Sequence, residues 1–528
     1  MRDFQLPGRS TVHSLNGMCA SSHPQASLAA VEIMRAGGNA VDAAIAASAV
    51  LCVVEPMMTG IGGDCFVLYA PKGSGDVIGL NGSGRAPKGL SRDYLLDRGE
   101  TSVGFQSVHS VTIPGAVDAW AKLLADHGTM GMDRVLQPAI ALCEQGFAVA
   151  PRTAMDWMFL EPQIRLDEDL TALYLPTGST PKVGDLFRSI ALGKTFRAIA
   201  ERGRAGFYEG EVAERMVATL HAKGGTHTLD DFAETSADYV TPIGTNFSGH
   251  RLLEIPPNGQ GITALIALNI LSRLELDGLD PRGPDRVHLQ VEAARLAYAA
   301  RDAHVADMDQ ADVPVDYLLS DGFADELAGK IDPGRAMDLP QAGDSPHKDT
   351  TYLTVVDKDR NAVSFINSLF QGFGACIADE ATGVVFQNRG AGFVLSENHP
   401  NCLAPGKRPM HTIIPAMLVK DGHAAMSFGV MGGHYQPMGH VQVLMNMLAY
   451  GMDIQEAIDF PRFLTEDGVL AMERGLPAAT YDALKARGHT VSEALPPFGG
   501  GQGIVIDWDQ GTLAGGSDPR KDGAALGY

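Results

Sequence analysis

Apolar and polar positions alternate with two different periods along the chain. In "HPQASLAAVEIMRAGGNAVDAAIAASAVLCVVEP" the apolar residues recur at helical spacing. Pro24 suits a first helical turn, Gly37 and Gly38 interrupt, and Pro56 follows the end of a second helix. "TGIGGDCFVLYAP" and "GDVIGLNGSGRAP" read as short strands or loops whose glycines permit close backbone approach. Between residues 116 and 235 the segments "AVDAWAKLLADHG", "LGKTFRAIAERG" and "GEVAERMVATLHAKGG" have helical periodicity and a glycine at or near the end. "HRLLEIPPNGQG" predicts a strand and a tight loop, followed by helices in "ITALIALNILSRL" and "DRVHLQVEAARLAYAARDAHVA".

The period changes after residue 350. "TYLTVV", "NAVSFINS", "GVVFQN", "TIIPAMLV" and "AAMSFGV" read as strands, with turn chemistry in "DKDRN" between the first two. The boundary is "IDPGRAMDLPQAGDSPHKD", residues 331–349, which holds three prolines and two glycines without periodicity and is expected to be exposed and flexible. The chain thus divides into a helix-rich part, 1–349, and a strand-rich part, 350–528.

Composition narrows the function. The 528 residues carry 41 Lys plus Arg against 63 Asp plus Glu, a net charge of -22, which argues against nucleic acid and anionic membrane surfaces as partners. An anionic substrate has to be held by a local basic group, so single arginines become informative. The six cysteines lack C-x-x-C spacing and read as reduced core thiols. Residues 1–18 lack the apolar core of a secretory signal, and the apolar run Ala43 to Val54 is too short to span a bilayer; a cytoplasmic protein is expected.

The candidate chemistry sits at the boundary, where Thr350 and Thr351 follow Asp349. On pattern alone both are β-branched residues opening a strand. The alternative is nucleophilic. A cut between Asp349 and Thr350 would free an α-amine of pKa about 7.7–8.0, able to take the proton of the Thr350 hydroxyl. The same hydroxyl can make the cut, by attacking the Asp349 carbonyl in an N-to-O shift and leaving an ester for water to hydrolyse.

The words "GGNAVDAAIAASAVLCVVEP", "TGIGGD", "TIPGAVDAW", "YVTPIGTNFSGHRLLEIPPNGQG", "TTYLTVVDKDRNAVS", "GKRP", "MGGH" and "GGSDPRKDGAALGY" resemble the gamma-glutamyltranspeptidase family in order and spacing. The resemblance implies an N-terminal-nucleophile hydrolase made as one chain that cleaves itself before Thr350. It further implies an α+β fold, a four-layer αββα sandwich built jointly by a large subunit, 1–349, and a small subunit, 350–528. No cofactor is implied, and an oligomer of such heterodimers is compatible with it. Gly432 and Gly433 match the family's oxyanion-binding pair, although two glycines alone are more often a turn.

Around the nucleophile the sequence departs from the family's glutamyl pocket. By resemblance, Ser368 keeps a hydroxyl position, whereas Phe370 replaces an asparagine, Arg389 a glutamine, Gly392 an aspartate and Ser83 an arginine, with Arg85 two residues away. His411 and Thr412 stand for paired serines. Exchanging Gln and Asp for Arg and Gly removes attraction for an ammonium and adds it for an anion. The altered set, with His434 in "MGGHYQP", resembles a branch containing oxamate amidohydrolases and cephalosporin acylases. A small amide with an anionic acyl group is therefore the expected substrate, its carboxylate met by Arg389 with help from Arg85 or His411. A structural ion pair is the other reading of Arg389. Two rivals remain: a glutathione hydrolase or γ-glutamyltransferase, and an unprocessed chain that binds a metabolite without chemistry.

Other motifs point elsewhere only weakly. His411, His434 and His440 lack an H-E-x-x-H frame or a carboxylate at ligand spacing, so they are expected to be hydrogen-bonded polar residues and no metal is expected there. "TGIGGD" lacks a full dinucleotide fingerprint, and no G-x-S-x-G elbow occurs.

Overall fold

A computed structural model describes residues 3–5, 7–338, 350–495 and 497–528. Asp349 and most of the expected linker, 339–349, lie outside the described residues. The start of that segment is tied down: Ile331 is buried, Asp332 and Arg335 form a backbone bridge, and the Ala336 N–H donates to the Arg487 carbonyl.

Alternating side chains on strands that are covered on both faces require two apolar neighbours, and two antiparallel seven-stranded sheets supply one each. One sheet runs Val12–Ser14, Thr512–Ser517, Gly500–Asp507, His423–Met431, Ala416–Lys420, His250–Glu254, Ile243–Phe247. The other runs Ala524–Gly527, Met18–Ser21, Thr351–Val356, Ala362–Ser368, Asp64–Ala70, Ile78–Gly82, Asp238–Val240. Both sheets interleave strands from before residue 339 and after residue 349. Between them Phe66, Leu68, Tyr352 and Ile366 of one sheet meet Leu253, Met417, Ile504 and Leu513 of the other. The opposite residues of the same strands, Val67, Leu353, Val355 and Phe365, face helical residues of Ala40–Val54 and Trp120. Leu252, Leu418, Met426 and Phe428 pack on the helices Gly261–Leu271, Pro284–His304 and Tyr435–Leu444. The layers are helix, sheet, sheet, helix, as the resemblance implies.

The helix Ala40–Val54 is apolar on every side and wholly buried, and its alanines let it lie close to the sheet. Asn39 and Asp42 cap it reciprocally. Two expected strands are shortened. Within "GVVFQN" only Val384–Val385 pairs, and "TIIPAMLV" begins its strand at Ala416. The Ile413 N–H donates to His411 Nδ1 and the Ile414 N–H to Gln436 Oε1, so this backbone serves side chains rather than a ladder. Among the described residues, no helix is long and apolar enough to cross a membrane.

Candidate active site

Thr350 stands immediately before the central strand Thr351–Val356 and is 1% exposed. The neighbouring strand Ala362–Ser368 pairs with it in antiparallel register, Thr351 opposite Asn367, and so brings Ser368 beside Thr350. Their hydroxyl oxygens are 3.1 Å apart. Ser368 Oγ also receives the Phe370 N–H at 2.8 Å and an Arg389 guanidinium N–H at 3.3 Å. Either hydroxyl of the Thr350–Ser368 pair can be the donor between them. Thr351, one residue on, points to the other face and donates to the Asn367 carbonyl at 3.3 Å.

Arg389 is fully buried. It donates to Thr412 Oγ1 at 2.7 Å as well as to Ser368, and its guanidinium lies 4.0 Å from the centroid of the Phe370 ring. Phe370 holds the left-handed backbone conformation, φ 82°, that turns its ring over the cation. Among the described residues no carboxylate lies within ion-pair distance of Arg389, and its Nε has no hydrogen-bond partner there. Burial pushes the guanidinium down to about 9, with the charge of Asp64 opposing, so it remains a cation at neutral pH.

Asp64 organises the floor. It sits opposite Ser368 across the ladder and accepts from the Gly84 N–H at 2.8 Å, Gln387 Nε2 at 2.7 Å and His411 Nε2 at 2.8 Å. Burial, and next the charge of Arg389, lower His411 to about 4 against the pull of Asp64. The ring is therefore neutral, donating through Nε2 and accepting through Nδ1.

Gly432 and Gly433 link the strand His423–Met431 to the helix Tyr435–Leu444 with φ of 123° and 58°, a path that side-chain-bearing residues resist. Cross-sheet pairs locate them relative to Thr350. Thr354 Oγ1 donates to Ser427 Oγ at 2.6 Å, and Tyr352 packs over Gly429, where a Cβ would lie 2.5 Å from its ring. Both contacts run toward the Met431 end of the strand His423–Met431, which Gly432 follows, and toward the Thr351 end of its partner, which Thr350 precedes. Gln260 Nε2 holds the Gly433 carbonyl at 2.9 Å and the Thr412 carbonyl at 2.7 Å, and its Oε1 accepts from Arg301 at 2.8 Å. Among the described residues no hydrogen-bond acceptor meets the N–H of Gly432 or Gly433.

Thr350, Ser368, Phe370, Arg389 and Thr412 thus form one contiguous group, with His411 beneath it. Arg85 and His411 are each engaged by other side chains. Arg85 does not share the site with Arg389: it pairs with Asp309 at 2.8 Å, Asp307 at 3.4 Å and Asp238 at 3.6 Å, where its charge is already met. His411, neutral and committed to Asp64, offers no charge to a substrate carboxylate. His434 accepts from Arg301 at 2.7 Å through Nδ1, which ties it to the Gly433 loop. His440 donates to Glu254 at 2.7 Å, so His411, His434 and His440 each have separate hydrogen-bond partners. Asp64, Gln260 and Gln387 were not singled out beforehand, although Asp64 and Gln260 end the words "TGIGGD" and "PNGQ".

The gamma-glutamyltranspeptidase family pattern matches residues 26–528. The glutathione hydrolase-like YwrD proenzyme of Bacillus subtilis is 37% identical over 97% of this chain and 98% of its own length. The oxamate amidohydrolase proenzyme of Klebsiella pneumoniae is 34% identical over 98% of this chain and 99% of its own. A crystal structure of a cephalosporin acylase from Bacillus halodurans, 39% identical, superposes with a TM-score of 0.93 over 100% of this chain and 99% of that one. Together with the four-layer sandwich, these likenesses place the chain in the gamma-glutamyltranspeptidase family of N-terminal-nucleophile enzymes, which act on amide bonds.

Proposed function

We propose that the chain is a self-processing amidohydrolase that cleaves a small amide with an anionic, oxamate-like acyl group through an ester on Thr350. The carrying observation is Arg389, a buried cation without a carboxylate at ion-pair distance among the described residues, bonded to the serine that touches Thr350. Burying such a charge is costly unless it is paired, and a substrate carboxylate supplies the pair at the moment of binding. The oxamate amidohydrolase and acylase relatives, 34% and 32% identical, agree with this choice.

Maturation begins when Thr350 Oγ1 attacks the Asp349 carbonyl; the N-to-O shift breaks the C–N bond and frees the α-amine, and water then hydrolyses the ester to the Asp349 carboxylate and the Thr350 hydroxyl. In turnover that amine takes the hydroxyl proton while Oγ1 adds to the substrate carbonyl. The N–H groups of Gly432 and Gly433 receive the oxyanion. The α-ammonium returns its proton to the leaving amine, then the free amine activates water against the ester. Ser368 orients Oγ1, and Arg389 with Thr412 orients the acyl carboxylate.

The test compares kcat/KM for oxamate and for a γ-glutamyl anilide in the parent and in Arg389→Gln. The parent is expected to favour oxamate, and the variant to lose about 2–5 kcal/mol of that preference while still processing itself. A parent that favours the γ-glutamyl anilide, accelerated by dipeptide acceptors, returns the chain to glutathione-hydrolase chemistry.

A further inference from the structure

A second cluster of ligand-bearing side chains lies apart from Thr350, on the outer helix of the other sheet. We propose that His288, Glu292 and His489 form a binding site for a divalent transition-metal ion of the zinc type. His288 and Glu292 are four residues apart on the helix Pro284–His304 and so share one face. His489 follows the helix Ala478–Ala486 and reaches them from the second part of the chain. All three are buried, and one ligand atom from each lies within 4.8 Å of the others.

The hydrogen bonds fix which lone pairs converge. The Asp332 carbonyl can only accept, so His288 donates to it through Nε2–H at 2.8 Å and is left with a bare Nδ1. That nitrogen faces His489 Nε2 at 2.7 Å. An imidazole whose far N–H is held by a backbone carbonyl is the arrangement that orients ligating histidines. Glu292 is oriented in the same way, one oxygen receiving Arg295 at 3.0 Å and the other the Met337 N–H at 2.7 Å. Arg487 is paired with Asp285, whereas Arg295 pairs with Glu292 itself and donates to the Met337 carbonyl, so the Glu292 carboxylate would be shared between Arg295 and the ion.

Two imidazole nitrogens and one carboxylate oxygen suit zinc, leaving a fourth position for water. Tetrahedral ligation at about 2.0–2.2 Å separates ligand atoms by roughly 3.4 Å, so the two rings part by about 0.7 Å while Glu292 closes in. The metal takes the place of the shared proton: His489 moves its hydrogen from Nε2 to Nδ1, and no net proton is lost from either ring. His288 and Glu292 precede the proposed cleavage point and His489 follows it, so in a cleaved protein the ion would join two polypeptides. The site itself does not depend on that cleavage.

The purified full-length protein, stripped with a chelator and dialysed, is titrated with Zn2+ against a chromophoric competitor, and Co2+ is added in parallel. The expected result is one Zn2+ per 528-residue sequence, a tetrahedral Co2+ visible spectrum, and affinity lowered about tenfold or more in His489→Ala and in Glu292→Gln. Circular dichroism checks that each variant is folded, and either folded variant suffices. Failure of the parent to retain Zn2+ in competition, an octahedral Co2+ spectrum, or folded variants that bind as the parent does would each overturn the proposal.

Discussion

At the scale of single residues, the two threonines separate the proposed nucleophile from a strand former. Thr350 touches Ser368, whereas Thr351 points away and bonds the backbone of its neighbour. Thr350→Ala is expected to give one uncut chain without amidase activity, and Thr351→Ala to be cut and retain turnover. A denaturing gel and N-terminal mass spectrometry decide this; a cut Thr350→Ala chain removes Thr350 from the chemistry. His411 makes a second residue-level prediction. Its folded value, about 4, lies below the ordinary 6.5, so below pH 6.5 the unfolded state takes up a proton that the folded state refuses. The stability this neutral ring contributes is complete above pH 6.5 and is lost as the pH falls to about 4, a change of roughly 3 kcal/mol. Urea midpoints at pH 7 and pH 4.5 should therefore fall further for the parent than for His411→Gln. Equal falls would mean that the ring is charged or solvated in the folded protein.

At the scale of elements, the site depends on backbone geometry more than on any one side chain. Gly432 has φ 123°, and a Cβ there would stand 3.0 Å from Gly499 Cα. Gly432→Ala is expected to turn the N–H away from the oxyanion and lower kcat by about 10²–10³-fold, with KM little changed. Gly429 lies one layer deeper. Its missing Cβ is the space occupied by the Tyr352 ring, so Gly429→Ala should tilt the start of Thr351–Val356 and slow processing and turnover together. Unaltered rates in both variants would show that neither glycine positions the reacting atoms. Helices such as Pro24–Arg35, Ala116–His127 and Glu211–Ala222 were legible because their periodicity and glycine stops agree. The strand onset in "TIIPAMLV" was not legible. Residues 411–414 have β-branched composition, yet their N–H groups are taken by Asn258, His411 and Gln436, partners distant or bent back in ways periodicity cannot encode. The same limit hid Arg85. Its proximity to the family's arginine position suggested a substrate contact, while its acidic partners Asp238, Asp307 and Asp309 lie more than 150 residues away.

At the scale of the whole molecule, the proposed cut at 349/350 would divide the chain and not the fold. The strand Thr351–Val356 lies between Met18–Ser21 and Ala362–Ser368, and Ala362–Ser368 lies against Asp64–Ala70. In the other sheet Ala416–Lys420 pairs with His250–Glu254, and Thr512–Ser517 with Val12–Ser14. Pulling the two parts apart would break ladders in both sheets and expose the layer between them, where each fully buried large apolar side chain contributes about 1.5–3 kcal/mol. A single cut at Asp349–Thr350 removes none of those contacts. Cleaved protein is therefore expected to elute as one particle in size-exclusion chromatography, even at 1 M NaCl, because burial and not charge holds the parts together. Fragment separation in urea should coincide with the loss of far-UV circular dichroism. Separation in salt alone, or well before the circular dichroism changes, would mean that the two parts fold as independent bodies, which the interleaved strands do not allow.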